Sequence, residues 1–165
     1  ATTQQNTTEA YNMAITQAMS TLFKKDVLLG DHHLDSDVIM IALYTSSATL
    51  NATTDGYITA NQVDNGNGYT TGGVALASKA VTEDTNSAST TAGSGIFDAA
   101  DPEWTSATFT AAGALIYNKT LGDASSNARG AIAILNFGGD FSVAGGTFKI
   151  VFPAASRNTA IIRID

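Results

Sequence analysis

The two histidines of the chain, His32 and His33, stand side by side, with Asp31, Asp35 and Asp37 close by. Imidazole and carboxylate ligands at that density are the raw material of a divalent-cation site. The spacing argues against one. Neighbouring side chains on an extended segment point to opposite faces, so the two imidazoles do not converge on one ion. A catalytic zinc also needs about three protein ligands at defined spacing, which is not visible here. The expected reading is a solvated acidic turn, with no metal. Asp64-Asn65-Gly66-Asn67-Gly68 superficially resembles a calcium loop, but the ligand pattern fails, since Gly66 and Ala75 fall where oxygen ligands belong. An Asn-Gly hairpin turn fits better, because Asn and Gly tolerate the positive φ such a turn demands.

Covalent and acid–base chemistry fare no better. Ser94 sits in Gly93-Ser94-Gly95 without the Gly-x-Ser-x-Gly elbow and is expected in a polar loop. Neither Lys79 nor Lys119 follows the glycines of a phosphate-binding loop. Glu83-Asp84 and Asp98/Asp101 are paired carboxylates of the kind a glycosidase uses, and Trp104 beside Glu103 could stack on a sugar. Solvated turn acids and a core tryptophan are the favoured reading of them. Asn6, Asn51 and Asn118 head glycosylation sequons that matter only in a glycosylating host. No catalytic residue and no cofactor is assigned, and the chain is not read as an enzyme.

Composition narrows the partners. Of the 165 residues only 14% are charged, against roughly 25% in ordinary soluble domains. Ala, Thr, Ser, Gly and Asn take their place, a neutral polar surface suited to meeting other protein. The net charge is −7, with eight basic residues, and only Lys24-Lys25 are adjacent. Nucleic acid is bound by neutralising phosphates, so it is not an expected partner. The chain has no cysteine, which excludes disulfides and thiolate chemistry. Its first residues, Ala1-Thr2-Thr3-Gln4-Gln5, carry neither a basic nor an apolar signal region, so no secretory leader is expected. No apolar run nears the ~18 residues of a membrane span, so no membrane partner is expected either.

The elements that would position these residues follow from periodicity. Tyr11, Ile15, Ala18 and Leu22, with Met19 and Phe23 in a parallel row, predict an amphipathic helix over 8–25. Asn6 and Glu9 read as its capping box, Lys24-Lys25 as cations at its C-terminal end, and Gly30 as its stop. Val38–Tyr44 is an unbroken apolar run, too short for a lone helix, and predicts a strand buried on both faces. Val74–Val81 predicts a short strand and Glu83–Gly95 an exposed loop. Thr105–Tyr117 and Ile132–Phe137 predict strands, with Gly138-Gly139-Asp140 turning the chain. Phe148, Ile150 and Phe152 alternate with Thr147, Lys149 and Val151 up to Pro153, and Ala160–Ile164 predicts a last strand. Short strands separated by Gly and Asn turns predict a mainly β fold, an antiparallel β-sandwich or jelly-roll-like domain over 31–165. An N-terminal arm and helix over 1–30 would pack on it or on a neighbour.

Several segments also carry a resemblance. Leu22-Phe23-Lys24 with Val27–Gly30, Leu34–Leu50, Gly68–Gly73, Phe97–Asp101 with Trp104, Ala114–Asn118, Ala133–Gly138 and Gly146–Ile150 follow one another in an order that covers most of the chain. In these pieces the sequence resembles small β-rich virion structural proteins of tailed bacteriophages, of the head decoration or cement type. The Tyr11–Met19 segment departs from that pattern, being longer and more helical. The resemblance implies a particle component on the outer surface of the phage head, bound to the major capsid protein as a homo-oligomer, with a trimer favoured. It transfers no catalytic residue.

The apolar stripe of the predicted helix packs either on the chain's own sheet or on a neighbouring subunit. The second case makes Tyr11, Ile15, Met19, Leu22 and Phe23 the candidate interface, and a chain lacking 1–25 would then keep its β domain while losing capsid binding. Two other roles fit the sequence. One is a tail, fibre or receptor-binding component using the loops at 45–73 and 82–95. The other is a small glycan-binding or glycan-hydrolysing β protein using Asp98, Asp101 or Glu103.

Overall fold

Strand β2 sets the architecture, and a computed structural model describes it together with residues 14–84, 93–122, 129–156 and 158–165. β2 is Ile39–Tyr44, and five of its six residues are fully buried. Ile39, Ile41 and Leu43 enter one apolar cluster and Ala42 and Tyr44 another, so both sides of the strand are covered. The short strand β1, Ala18–Met19, and helix α1, Thr21–Leu29, precede it. After it come β3, Val74–Ala75, β4, Ala80–Asp84, and β5, Ser94–Asp98. The long hairpin arms are β6, Glu103–Asn118, and β7, Ala131–Lys149, and β8 is Ile162–Ile164.

The described strands form two antiparallel sheets, ordered β1-β7-β6-β2-β3 and β4-β5-β8. The protein is thus mainly β, sandwich-like, with one short helix near the N-terminus. Between the sheets, Phe97 and Ile162 of the small sheet and Phe23 of α1 meet Ile39, Ile41, Ile116 and Ile132 of the large one. Among the described residues no second sheet lies over the far face of the large sheet. Ile15, Leu50 and Tyr57 cover it instead, packed on Tyr44, Leu115, Tyr117 and Ile134. The Thr/Asn/Gly-rich connection from 45 to 73 therefore sends Ala48, Leu50 and Tyr57 into this cover, while about half of its residues stay exposed.

Polar groups inside that cover are paired, as buried polar groups must be. Gln62 donates to the Tyr57 hydroxyl (2.6 Å) and accepts from the Tyr69 hydroxyl (3.2 Å) and the Gly72 N–H (2.7 Å). Tyr69 also accepts from the Leu43 N–H (2.9 Å), and Tyr117 donates to the Gly72 carbonyl (2.9 Å). Burial pushes the Tyr44 and Tyr69 hydroxyls far above the usual phenol range, so both remain neutral donors.

The helix differs from expectation. It begins at Thr21, while the preceding residues from Ala14 are extended: Ile15 bridges Leu50, and Ala18 and Met19 pair with Ile134 and Ala133. An open edge of β7 captures this stretch, outweighing a three- and four-residue periodicity that an extended edge segment also satisfies. Ser20 is buried and holds the junction, its N–H on the Ile132 carbonyl (2.9 Å) and its hydroxyl on the Thr54 carbonyl (2.9 Å). Lys24 and Lys25 consequently lie in mid-helix. Gly30 does stop the helix, in the left-handed region at φ 77°. Asn6, Glu9 and Tyr11 lie outside the described residues.

Two further expectations change. Gly138-Gly139-Asp140 does not reverse the chain. β7 runs on, and Phe137–Asp140 bulge opposite the single residue Ala112. Gly138 takes φ 81° there, and its N–H is held by the Asn136 side chain (2.8 Å). The 74–81 stretch is split between β3 and β4, which lie in different sheets, with Ser78 at φ 50° between them. The Asn-Gly turn appears as expected: Asn67-Gly68, at φ 52° and 85°, closes a hairpin between Gly66 and Tyr69.

Gly73 is the glycine under the tightest constraint, with φ 80° and a Cβ position that would overlap the Ile41 carbonyl. Gly73→Ala should lower unfolding free energy by roughly 2–4 kcal/mol in urea titrations. Gly30→Ala, with open space around it, should cost only about 1 kcal/mol.

Candidate functional site

The residues singled out for chemistry are placed mostly in structural work. Asp101 accepts from the Phe152 N–H (2.9 Å) and pairs with Lys149 (3.4 Å), and these contacts hold its carboxyl below the usual range. It clasps the end of β7 to the turn before β6. Trp104 is 3% exposed and stacks near Tyr69, so its indole is a core anchor with no face free for a sugar. Ser94 lies in β5, not in a loop, and its hydroxyl meets the Asp165 carboxylate. Asn118 is fully buried, and its side chain is engaged at both ends, so it is not a glycan acceptor in the fold.

The histidine pair divides as the turn geometry demands. His33 is exposed, whereas His32 turns inward with its ring edge-on to Phe23 at 4.8 Å. Asn118 Nδ2 lies 3.3 Å from His32 Nδ1 and donates to Asp37 at 2.6 Å. Asp37 in turn accepts from the His33 N–H (2.9 Å). Arg129 bridges fully buried Asp26 (3.2 Å) and half-exposed Asp31 (2.9 Å), tying the helix to the approach to β7. Among the described residues no group of three potential ligands is arranged to hold a metal ion. The cluster is a clasp joining α1, the 31–37 turn and the ends of β6 and β7. Nothing in the sequence signals the Asp26–Arg129 pair, whose members are 103 residues apart.

The surface with unspent binding potential lies where α1 meets the small sheet. Leu28 is 88% exposed and Leu29 64%, both on α1, and nearby Val81 of β4 and Ile164 of β8 are each more than half exposed. Two apolar grooves run there, of about 310 and 430 Å³, sharing Phe23, Val27 and Ile164 as walls. Lys24 and Arg163 rim the second groove. An apolar strip with a charged rim has the composition of a protein-docking surface.

The expected interface residues are distributed unevenly about this strip. Ile15 and Phe23 are buried in the chain's own core; Met19 and Leu22 are half-buried, Met19 lining a groove. Deleting 1–25 would strip Ile15, Ser20 and Phe23 from the core, so that truncation cannot leave an intact β domain. Leu28, Val81 and Ile164 are the exposed members that periodicity alone did not single out. No helix among the described residues is long and apolar enough to cross a membrane. No family model, no curated protein and no solved structure matches the chain.

The His32 clasp should make stability pH-dependent. Burial lowers the imidazole below its ordinary value of 6.5, outweighing the pull of Asp26, Asp37 and Asp31; Arg129 acts in the same direction as burial. The unfolded chain therefore binds the proton more readily, and stability falls as pH drops below 6.5. Thermal unfolding from about pH 8 to about pH 5 should show this loss, and His32→Gln, which keeps an acceptor for Asn118, should flatten it. Asp101 titrates at lower pH and leaves that window clear.

Proposed function

We propose that this protein is a structural component of a tailed-phage particle, a decoration or cement protein bound to the major capsid protein on the outer surface of the head. The observation that carries the reading is the exposed apolar strip of Leu28, Val81 and Ile164, where the helix meets the small sheet of a cysteine-free β domain. It is supported by the resemblance of the chain's segments to virion proteins of that kind and by the structural employment of Asp101, Trp104 and Ser94. The role is binding and not catalysis.

The mechanism is mechanical. A shell under internal pressure gains from clamps that bridge neighbouring subunits. A small sandwich with an apolar strip can bury Leu28 and Ile164 in a lattice crevice while the acidic remainder stays solvated. A homo-oligomer would engage several lattice points at once and gain avidity without any single strong contact.

Shells lacking this protein should bind it stoichiometrically in co-sedimentation. Leu28→Asp with Ile164→Asp should weaken binding by about a hundredfold while leaving the thermal midpoint nearly unchanged, since both side chains are exposed in the free protein. Absence from purified virions would overturn the proposal. Location at the tail, in far fewer copies than the capsid subunits, would replace decoration by a tail role.

A further inference from the structure

Beyond the β1 contact at Ala133 and Ile134, the outer edge of β7 runs from Leu135 to Lys149 with no strand paired to it among the described residues. A long open edge is a template for another strand, and proteins usually blunt such edges with repeated charge. This edge carries only two charged residues, Asp140 near one end and Lys149 at the other, and they are of opposite sign; Lys149 also reaches Asp101 of its own chain at 3.4 Å, so the mixed-variant rescue is the arm that separates loss of that clasp from loss of the cross-strand pair. One face of the ribbon is aromatic: Phe137, Phe141 and Phe148 meet there, with Phe141 53% exposed. The other face is polar, with the Thr110 and Ser142 hydroxyls 2.6 Å apart.

We infer that two copies of this chain associate by antiparallel pairing of their β7 edges about a two-fold axis. In the register that sets Asp140 opposite Lys149 across the axis, Phe141 falls opposite Phe148, Ser142 opposite Thr147, and Val143 opposite Gly146. Charge meets charge of opposite sign, aromatic meets aromatic, and hydroxyl meets hydroxyl. Directly opposed residues of an antiparallel pair share a face, so an unbroken strand would admit only pairings between positions an even number apart. The bulge at Gly145, where φ is 65°, removes that bar. Phe141, Val143, Gly146 and Phe148 are opposite Ala111, Phe109, Ala107 and Trp104 in the β6 ladder, which places all four on the aromatic face despite their mixed spacing. The bulge is therefore the feature that makes β7 complementary to itself. The contact is isologous and closes at two copies. It leaves the Leu28–Ile164 strip outside the pairing and does not depend on the proposed role of that strip.

The test uses the full chain. Sedimentation equilibrium at sub-millimolar concentration should give twice the chain mass of 17.0 kDa. Asp140→Lys alone and Lys149→Glu alone should each weaken self-association by about tenfold or more, because each homodimer then opposes like charges. An equimolar mixture of the two variants should pair again, since both contacts in the mixed dimer are of opposite sign. As a readout independent of those charges, the double variant Ser142→Cys/Thr147→Cys should form a disulfide-linked dimer under mild oxidation. Its two sulfurs are about 16 Å apart along one strand and cannot bridge within a chain, and no native thiol competes. A monomer at all concentrations, a dimer indifferent to the charge reversals, or a failure of that cross-link would overturn the inference.

Discussion

Two-sided burial of the central strands is the constraint on which this structure depends. β2 and the inner halves of β6 and β7 have protein on both faces, so no backbone group there can turn to water, and each must find its partner in the ladder. One face is covered in the ordinary way, by a small sheet and a helix. The other is covered by irregular chain from 45 to 63 and by Ile15, and irregular chain brings its own unpaired polar groups into the core. The hydrogen-bonded set of Gln62, Tyr57, Tyr69 and Tyr117 answers that demand. It explains how a segment composed like a surface loop can place Leu50, Tyr57 and Gln62 in the interior.

The outer halves of β6 and β7 escape the constraint. Beyond Ala111 and Asn136 the hairpin leaves the cover of β2 and becomes a two-stranded ribbon, packed on one face by Tyr69 and Trp104 and open along its outer edge. Here the ladder carries bulges at Gly138 and Gly145, and a further register shift lies in the buried half between Ile116 and Tyr117. The ribbon is exposed along its outer edge, and surfaces of that kind are suited to making further contacts. The helix side behaves differently. α1 is short and held by the Asp26–Arg129 clasp beneath it, so the leucines on its outer side are presented by packing from below and not by the helix's own stability.

The placement of the polar residues bears on function in the same way. Asp101, Ser94, Asn118 and Asp37 each resemble reactive or ligating groups when read along the chain. In the fold each accepts or donates a hydrogen bond that closes a turn, a strand end or a chain terminus. What the surface offers instead is apolar area: Leu28, Val81 and Ile164 on one side, Phe141 and Val151 on another.

Local pattern was sufficient wherever the physics is local. The unbroken apolar run at 38–44 requires burial on both faces, Asn67-Gly68 has the φ freedom of a tight turn, and Gly30 ends a helix because only a residue without Cβ enters the left-handed region cheaply. The mainly β class follows from such segments alone. Long-range competition decided the rest. Residues 14–19 have a periodicity compatible with helix or edge strand, and only the open edge of β7 beside Leu50 selects the strand. Gly138-Gly139-Asp140 could turn or bulge, and the continuing ladder with β6 selects the bulge. The Asp26–Arg129 clasp, the tyrosine cover and the apolar strip join residues from distant parts of the chain. Such contacts exist only once the chain has closed on itself, because their energy comes from groups that no sequence window contains together.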